Sequence, residues 1–382
     1  MRVLAITNLF PDSARPGFAP FNRQQLERLS RLCSLTVIAP LPWPRALAIR
    51  LRGGRPEPPP SCRLEGEVVY PVYWYTPRVL RDLYGRFYRW SISRAVDRVF
   101  AQSAPDVIYA TWAYPDCWAA VRTGAARGVP VVSRVHGSDI NEYMKHAGRR
   151  DLILEALEGS ARVITVSEAL RDILAAEGVE RRKIETVLNG VDRGIFRPAD
   201  REEASGRLSI KPGRRRVLFA GNLERVKGVD LLIDAFARLG DPGAELVVLG
   251  DGPERGRLES LARTKGLGDR VLFRGRVPLE ETALWMSACD VFCLPSRNEG
   301  TPNVILEALA CGTPVVASRT GGIPGIVPGE GGILFPPEDP AALAAALDEA
   351  LSRDWGRVES PAGTWEDNAA RILGILESAS GR

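Results

Sequence analysis

The chain has 382 residues, which is too long for one ordinary hydrophobic core and about right for two α/β domains. Apolar residues make up 45% and charged residues 26%, a composition that excludes a disordered or fibrous chain. The net charge is only +4, no apolar run reaches the ~18 residues of a membrane-spanning helix, and the opening segment is too poor in apolar residues for a signal peptide. We therefore expect a cytoplasmic globular protein.

The cysteines and histidines give no sign of a metal site. The six cysteines are scattered and include no CxxC pair, and only two histidines are available as further ligands. We expect reduced, mostly buried thiols and no bound metal.

Positive charge is concentrated in the first half of the chain. Residues 1–185 carry 27 Lys and Arg against 19 Asp and Glu, and eleven arginines lie between Arg45 and Arg98, interleaved with aromatic residues. This mixture suits an anionic surface, such as lipid headgroups or a diphosphate, and predicts peripheral contact with an anionic membrane. An ordinary solvated face is an equal alternative. No nucleic-acid partner is expected, because no recognition motif accompanies the stretch.

Short β-branched runs alternate with stretches of helical spacing along the chain. In the first half the predicted strands are Val3–Thr7, Leu35–Ala39, Asp106–Ala110, Val131–Val135 and Val163–Val166. In the second half they are Val217–Ala220, Leu246–Leu249, Val271–Phe273, Val291–Leu294 and Val315–Ser318. This alternation predicts parallel sheets covered on both faces, and hence two doubly wound α/β domains.

Irregular stretches mark the predicted domain boundaries. The stretch between the two series contains NGVD, an Arg-Pro step and Lys211-Pro212-Gly213, which is typical of an interdomain linker. We predict an N-terminal domain over 1–190, a linker over 191–212, a C-terminal domain over 213–360, and a final helix within 361–382 that packs back toward the N-terminal domain. A second irregular stretch, Pro40–Pro60, is predicted to be a mobile loop.

Two carboxylates follow the fourth strand of the second series. Glu299 precedes a predicted helix, and Glu307 lies inside that helix. At a rise of ~1.5 Å per helical residue, the two side chains could bracket a ligand across the helix start. An ordinary helix start with glutamates near its first turns is the alternative for either residue alone. The backbone N–H groups expected to face an anion there are those of Thr301, Asn303 and Val304.

Two cations follow the first strand of the second series. A glycine turn at Gly221-Asn222 precedes Arg225 and Lys227, beside a predicted helix start. That position suits neutralisation of a departing diphosphate, although a solvated helix cap would explain the same residues. The spacing is not that of a Walker P-loop, because no Gly-Lys-Ser/Thr follows. Gly252 lies in a later turn that could line the same pocket or could simply be a turn.

In the first half, His136 lies at the carboxyl end of a predicted strand, followed by Gly-Ser-Asp139. Ligands bind at this end of an open parallel sheet, so the position favours a functional histidine over a core histidine. Near the start of the chain, a Pro-containing loop with Gly17 and Asn22 leads into a helix predicted over Arg23–Leu32. No GxGxxG occurs there, so a nicotinamide site is not expected.

Several motifs together resemble those of the retaining GT-B glycosyltransferases of family 4, along nearly the whole chain. They are EGTPNVILEALACGTPVVAS, VHGSDI, TVSEAL, VLNGVD, GNLERVKGVDLL, VVLGDGPER, FRGRVP and the TGGIP turn. The resemblance implies two Rossmann-like domains facing a central cleft. It also implies transfer of a sugar from a nucleotide-diphosphate sugar with retention, with no metal and no further cofactor. The opening loop is similar to members that build bacterial surface polysaccharides, which suggests a saccharide or lipid-linked acceptor.

The resemblance also assigns roles to the candidate residues. Glu307 would hold the nucleotide ribose, and Glu299 would bind a hydroxyl of the donor sugar. Lys227 with Arg225 would stabilise the leaving diphosphate. The other donor-side residues expected from the motifs are Gly221, Asn222, Gly252, Gly300, Thr301, Asn303 and Val304. On the acceptor side, the residues expected to face the reacting sugar or the acceptor are His136, Asp139, Gly17 and Asn22.

Two positions depart from the family's pattern. Many members have Gly-Arg where this chain has Gly221-Asn222, so Arg225 would serve with Lys227 alone. The family's usual Glu after the Gly-Gly-Ile-Pro turn is Gly325 here, which removes one expected donor contact. Two alternatives therefore remain beside a transferase: another GT-B enzyme, such as a nucleotide-sugar epimerase or a phosphorylase, and a non-catalytic nucleotide-sugar-binding protein.

Overall fold

The structure, a computed structural model, describes residues 1–75, 83–210, 213–356 and 358–381. Contacts divide the chain into two compact units, one of Met1–Gly190 with Trp365–Arg382 and one of Val191–Thr364. Each unit is built around its own parallel sheet with helices on both faces. The predicted class, two doubly wound α/β domains, is confirmed.

The first unit contains a seven-stranded sheet. Its strands are β1 (Arg2–Ile6), β2 (Ser34–Ile38), β4 (Gly66–Val69), β6 (Val107–Thr111), β7 (Val131–Arg134), β8 (Arg162–Thr165) and β9 (Ile184–Thr186), beside a short pair of β3 (Leu41–Pro42) and β5 (Val72–Tyr73). The seven strands pair in the parallel order β4-β2-β1-β6-β7-β8-β9. The strand order changes direction between β1 and β6, which is where open sheets of this kind bind ligands.

Alternate side chains of the first sheet fill two separate cores. Leu4 and Ile6 of β1 pack on one face, and Val3 and Ala5 pack on the other.

No helix within the described residues is both long and apolar enough to cross a bilayer. The helices of this unit are α1 (Pro20–Ser30), α2 (Trp43–Leu51), α3 (Tyr84–Gln102), α4 (Trp118–Arg127), α5 (Ser138–Asn141), α6 (Ala147–Glu158), α7 (Glu168–Ala176) and α14 (Trp365–Ser380).

The last helix, α14, completes the core of the first unit. Its apolar side chains pack against α1 and the face of the sheet that carries Val3. Polar contacts fix its position, because Gln25 of α1 donates to Asn368 Oδ1 at 2.8 Å, and Asn368 Nδ2 donates to the Leu188 carbonyl at 2.5 Å. The first unit therefore draws on both ends of the chain.

The prediction of a mobile loop over Pro40–Pro60 is wrong for the first half of that stretch. Residues Trp43–Leu51 form α2, which begins with a proline in its first turn, a position where the missing N–H costs nothing. Ala46 and Ile49 supply a buried side of this helix at a spacing of three residues. The pattern was hidden because only these two positions are apolar and buried in a stretch rich in Arg and Pro.

The second unit contains a six-stranded sheet. Its strands are β10 (Arg216–Ala220), β11 (Glu245–Leu249), β12 (Val271–Gly275), β13 (Val291–Leu294), β14 (Val315–Ser318) and β15 (Gly332–Phe335). They pair in the parallel order β12-β11-β10-β13-β14-β15, with the change of direction between β10 and β13. The helices are α8 (Arg201–Arg207), α9 (Val229–Phe236), α10 (Arg255–Thr264), α11 (Leu279–Ala288), α12 (Asn303–Ala310) and α13 (Pro340–Ser352).

The stretch expected to be a linker, 191–212, belongs to the second unit as far as it is described. It contains α8, whose first turn is capped by the Asp200 carboxylate accepting the N–H of Glu203 at 2.9 Å. Lys211 and Pro212, part of the linker prediction, lie outside the described residues.

Candidate functional site

A pocket of about 490 Å³ lies in the second unit, at the carboxyl ends of β10, β11 and β13. Its walls are the turns that follow these strands and the start of α12. This is the edge of an open parallel sheet at which ligands bind. Of the residues predicted from the sequence, the lining contains Gly221, Asn222, Lys227, Asn303, Val304 and Glu307.

The floor of the pocket is formed by two backbone turns, at Gly221 and Gly250, that lie in close contact. Gly250 has φ +120°, and a Cβ at this position would lie 1.9 Å from the Gly221 carbonyl oxygen. The Gly221 N–H donates to the Leu249 carbonyl at 3.0 Å, which fixes the turn. Only glycine fits such an approach, so the floor is lined by backbone and leaves room for a ligand.

Lys227 and Glu299 form an ion pair beside this pocket. The Lys227 ammonium donates to Glu299 Oε1 at 2.7 Å, and the Ser296 hydroxyl donates to the same oxygen at 2.7 Å. The Lys227 side chain is 26% exposed and the Glu299 side chain 10% exposed, so the pair is partly shielded from water. A lysine from the turn after β10 is thus held by a carboxylate from the turn after β13.

The turn that carries Lys227 is itself fixed. Gly228 has φ +68°, and a Cβ there would lie 2.1 Å from the Pro295 carbonyl oxygen, so the turn is pressed against the end of β13. Arg297 pairs with both oxygens of Asp230, at 2.9 and 3.1 Å, and donates to the Arg225 carbonyl at 2.6 Å. The Arg225 side chain is left exposed at the surface.

Glu307 contributes the second carboxylate of the pocket, from the second turn of α12. Burial raises the pKa of Glu307 to about 7, because the charged form loses its water. At neutral pH the group is poised between a carboxylate, which accepts hydrogen bonds from neighbouring hydroxyls, and a neutral acid. A ligand with a diol would favour the ionised form.

Three further predicted residues lie near the pocket without lining it. The Gly300 carbonyl accepts the N–H of Gly322 at 2.8 Å, which ties the Glu299 loop to the turn after β14. Thr301 lies two residues before the first residue of α12, next to the N-cap residue Pro302. Gly252 lies against the backbone of Leu223, so that turn has no room for a side chain.

In the first unit, Asp139 anchors the loops that follow β6 and β7. Its Oδ1 accepts the backbone N–H groups of His136 and Gly137 at 2.9 and 2.8 Å, and its Oδ2 accepts the N–H of Ala113 at 2.9 Å. The side chain is fully buried, and burial raises its pKa to about 6. In this structure Asp139 therefore holds the His136 loop in place.

His136 lies between two aromatic rings. Its ring centroid is 4.9 Å from that of Phe21 and 6.4 Å from that of Trp112. Its Nε2 is buried and forms no hydrogen bond with any described residue. Burial, assisted by the positive charge of Arg134, lowers the pKa of His136 well below its usual range. The imidazole is therefore neutral at physiological pH, with one nitrogen available to a ligand.

The two acceptor-side candidates were both expected in the opening loop, but α1 begins at Pro20, three residues before the predicted start, so only Gly17 lies in the loop. Asn22 lies inside α1 and is 1% exposed, and its amide donates to Thr7 Oγ1 at 2.9 Å, the Leu9 carbonyl at 2.8 Å and Thr111 Oγ1 at 2.8 Å. It therefore joins the ends of β1 and β6 to the loop. Gly17 is exposed, with open space where a Cβ would lie.

Two residues that lie at these sites, Asp116 and Arg276, were not predicted from the sequence. Asp116 is fully buried after β6, where Tyr88 donates to Oδ1 and the Asn8 N–H donates to Oδ2 at 2.8 Å. Burial raises the pKa of Asp116 to about 8. Arg276, directly after β12, lines the pocket of the second unit. Both follow strand ends, the signal that identified His136 and Lys227.

No cluster of three His, Cys, Asp or Glu side chains suited to a metal ion occurs in residues 1–75, 83–210, 213–356 and 358–381. Metal independence itself stays a prediction.

Two family models match the chain. Residues 51–194 match the model described as Glycosyltransferase Family 4, and residues 214–353 match the model described as Glycosyl transferases group 1. A protein named for teichuronic acid biosynthesis, the glycosyltransferase TuaC of Bacillus subtilis (strain 168), is 30% identical over 91% of this chain and 88% of its own length. The chain therefore belongs to the family 4 glycosyltransferases.

Other similar proteins agree with this family. D-inositol 3-phosphate glycosyltransferase 1 of Catenulispora acidiphila is 32% identical over 69% of this chain and 71% of its own length. The solved structure of Anabaena HepE in complex with UDP superposes with a TM-score of 0.74 at 20% identity, covering 100% of this chain and 99% of that chain. The structure of sucrose-phosphate synthase from Thermosynechococcus elongatus superposes with a TM-score of 0.71 at 22% identity, covering 100% of this chain and 96% of that chain. The predicted GT-B fold is thereby confirmed.

Proposed function

We propose that this glycosyltransferase moves a sugar from a nucleotide-diphosphate sugar to a saccharide or lipid-linked acceptor, with retention of configuration and without a metal. We place the reaction in the synthesis of cell-surface polysaccharide or glycolipid, at the cytoplasmic face of the membrane. The observation that carries the proposal is the Lys227–Glu299 ion pair beside the pocket of the second unit. A fixed cation there can stabilise a leaving diphosphate in place of a metal.

The pocket supports a definite arrangement of the donor. Glu307, once ionised, accepts hydrogen bonds from the two ribose hydroxyls, as a carboxylate with a pKa of about 7 can do. The diphosphate lies over the backbone turn of Gly221 and the start of α12, where the positive end of the helix dipole favours an anion. Lys227 then shares its ammonium protons between Glu299 and a phosphate oxygen, and Glu299 accepts a hydroxyl of the sugar.

The proposed chemistry needs no protein nucleophile. The bond between the anomeric carbon and the phosphate oxygen breaks, and the acceptor oxygen attacks on the same face of the sugar. The acceptor proton passes to the departing phosphate oxygen, and Lys227 with Arg225 stabilises the negative charge that develops there. In the first unit, neutral His136 offers Nε2 to a sugar hydroxyl, held in place by Asp139.

The similar proteins support the choice of substrates to be tested. TuaC is named for teichuronic acid biosynthesis, and the HepE structures are complexes with UDP, with UDP and glucose, and with UDP-glucose. UDP-sugars are therefore the first donors to try, followed by GDP- and ADP-sugars.

The proposal is tested in two steps. A thermal-shift screen of the three nucleotide classes is made in EDTA, where a donor at 100 times its dissociation constant stabilises the fold by ~2.7 kcal/mol. The anomeric configuration of the transfer product is then read from its NMR coupling constant. Loss of transfer in EDTA, or an inverted product, would contradict the proposal. Conversion of the donor sugar without any acceptor would indicate an epimerase instead.

A further inference from the structure

The first unit has a cavity of about 710 Å³ between α3 and α4, separate from the residues of both sites described above. We call it the α3–α4 groove. From α3 the lining includes residues at positions 86, 89, 90, 93, 96 and 97, which form one side of the helix. The groove combines guanidinium groups with indoles, and its defining residues are Arg86, Arg89, Trp90, Trp118, Arg122 and Arg127.

The groove carries uncompensated positive charge. Arg127 pairs with Asp97, and Arg122 pairs with Glu155 at 2.5 Å. Arg86 and Arg89 are exposed, and no carboxylate of a described residue lies within 4.0 Å of either guanidinium group. They lie three positions apart on α3, close enough to act on one anion. Guanidinium groups match phosphate oxygens in both geometry and charge.

An exposed indole lies beside these cations. Trp90 is 70% exposed although it lies in the middle of a regular helix. Trp118 is buried at the inner wall, and the Arg122 guanidinium carbon lies 4.5 Å from the centre of its ring. Indole rings favour the boundary between lipid headgroups and acyl chains. A water-soluble phosphate would gain little from Trp90, whereas a lipid phosphate attached to glycerol and acyl chains would be complementary to it.

The exposed apolar surface continues beyond the groove. The backbone N–H of Trp74 donates at 3.2 Å to the hydroxyl of Ser91, the residue after Trp90. Trp74 is itself exposed and stacks on Trp43 of α2, with ring centroids 5.6 Å apart. On α2, Leu51 is 79% exposed. Exposed large apolar side chains of this kind, gathered on neighbouring elements, mark an interaction surface more often than isolated ones do.

We propose that the α3–α4 groove binds the phosphate group of an anionic phospholipid. Arg86 and Arg89 hold the phosphate oxygens, and Trp90 lies at the level of the glycerol backbone. The inference rests on the proposed contact with the membrane and deepens it, because it names the ligand and the residues that hold it. Residues Arg78 and Arg81, part of the same basic stretch of sequence, lie outside the described residues and are not needed.

Vesicle sedimentation tests this site. The full-length protein is mixed with vesicles of phosphatidylglycerol and phosphatidylcholine, or of phosphatidylcholine alone. The double variant Arg86→Gln/Arg89→Gln should bind the anionic vesicles about 30-fold more weakly than wild type, given the usual contribution of two arginines at such a surface. The matched control is Arg181→Gln/Arg182→Gln, which removes the same charge from two exposed arginines of the same unit and should bind as wild type does.

Further measurements distinguish binding of a lipid phosphate from loss of folding, from general charge attraction, and from binding of free phosphate or RNA. Trp90→Ala should weaken vesicle binding while the unfolding temperature stays unchanged. The donor-induced thermal shift should be equal in wild type and the double variant, so a failure here is distinct from a failure of sugar transfer. Unchanged vesicle binding in the double variant, or an equal loss in the control, would overturn the proposal. So would displacement from the vesicles by millimolar inorganic phosphate, or tighter binding to RNA than to vesicles.

Discussion

Lys227 Nζ lies 2.7 Å from Oε1 of Glu299, and the Ser296 hydroxyl donates to the same carboxylate oxygen. Before any donor arrives, the cation expected to meet the diphosphate is already neutralised by the carboxylate expected to meet the sugar. Each group thereby keeps the other in one position, at little cost in reorganisation when the donor binds. The two side chains should accordingly behave as a unit in mutagenesis.

Replacing either member of this pair should remove most transfer without unfolding the protein. We expect Lys227→Ala and Glu299→Ala each to lower kcat roughly 100-fold or more, because each removes charge stabilisation at the leaving group or the sugar. The double variant should lose little more than either single variant. Initial rates measure the effect. Lys265→Ala, which breaks a surface ion pair with Asp234 in the same unit, is the matched control, and wild-type rates in both site variants would refute the assignment.

Donor affinity should depend on the ionisation of Glu307. Burial raises the pKa of Glu307 to about 7, and hydrogen bonds from the ribose hydroxyls proposed to bind it would favour its charged form. Binding of UDP-glucose, whose diphosphate does not titrate in this range, should be about tenfold tighter at pH 8 than at pH 6. Glu307→Gln should bind weakly at both pH values. Calorimetry gives the constants, with exposed Glu330→Gln as control, and a flat wild-type profile would speak against this role.

Asp116 should make the first unit less stable as the pH rises. Its pKa is about 8 in the folded chain, above the usual value of 3.8, so the folded state binds the extra proton. The resulting stabilisation is complete below pH 4 and is lost as the pH rises toward 8. The free energy of unfolding of wild type, relative to Asp116→Asn, should therefore fall between pH 5 and pH 8. Urea unfolding at several pH values measures it, and a rising or constant difference would contradict the burial of this acid.

Asp139→Ala should cost about 3 kcal/mol or more of unfolding free energy, because it leaves three backbone N–H groups without their acceptor. Transfer should fall as well, since the His136 loop loses its anchor. Asp139→Asn keeps one acceptor oxygen, so its unfolding free energy and its transfer rate should lie between those of wild type and Asp139→Ala. Urea unfolding and initial rates are the readouts, with exposed Asp172→Ala as control. Full stability in Asp139→Ala would show that the loop is held by other contacts.

The sequence predicted the parts of the fold that have strong local signals. All ten predicted strands are present, because buried parallel strands are near-continuous β-branched runs. The edge strands β4, β9 and β15 were missed. They are short or contain Gly and charged residues, as in the Gly-Glu-Val-Val of β4, so the local sequence has no such run.

The residues of the second unit's pocket were predicted from one rule, that ligands bind where the strands of an open parallel sheet end. That rule brought Gly221, Lys227 and Glu307 into one pocket region but does not distinguish a ligand contact from a loop anchor. Asn22 and Asp139 look like binding groups in the sequence, yet their polar atoms hold backbone and hydroxyl groups of other loops. Those partners are up to 89 residues away in the chain, as for Asn22 and Thr111, so no local pattern shows them.

The place of α14 in the first unit has a consequence for synthesis on the ribosome. Residues 1–190 emerge first, but Ala369, Ile372 and Leu376 fill the core beside Leu26 and Leu29 of α1. Until α14 has left the exit tunnel, that side of the nascent unit stays open to water and to chaperones. Completion of the amino-terminal unit therefore waits for the whole second unit to be synthesised, and a chain cut short before Trp365 would lack part of its first core.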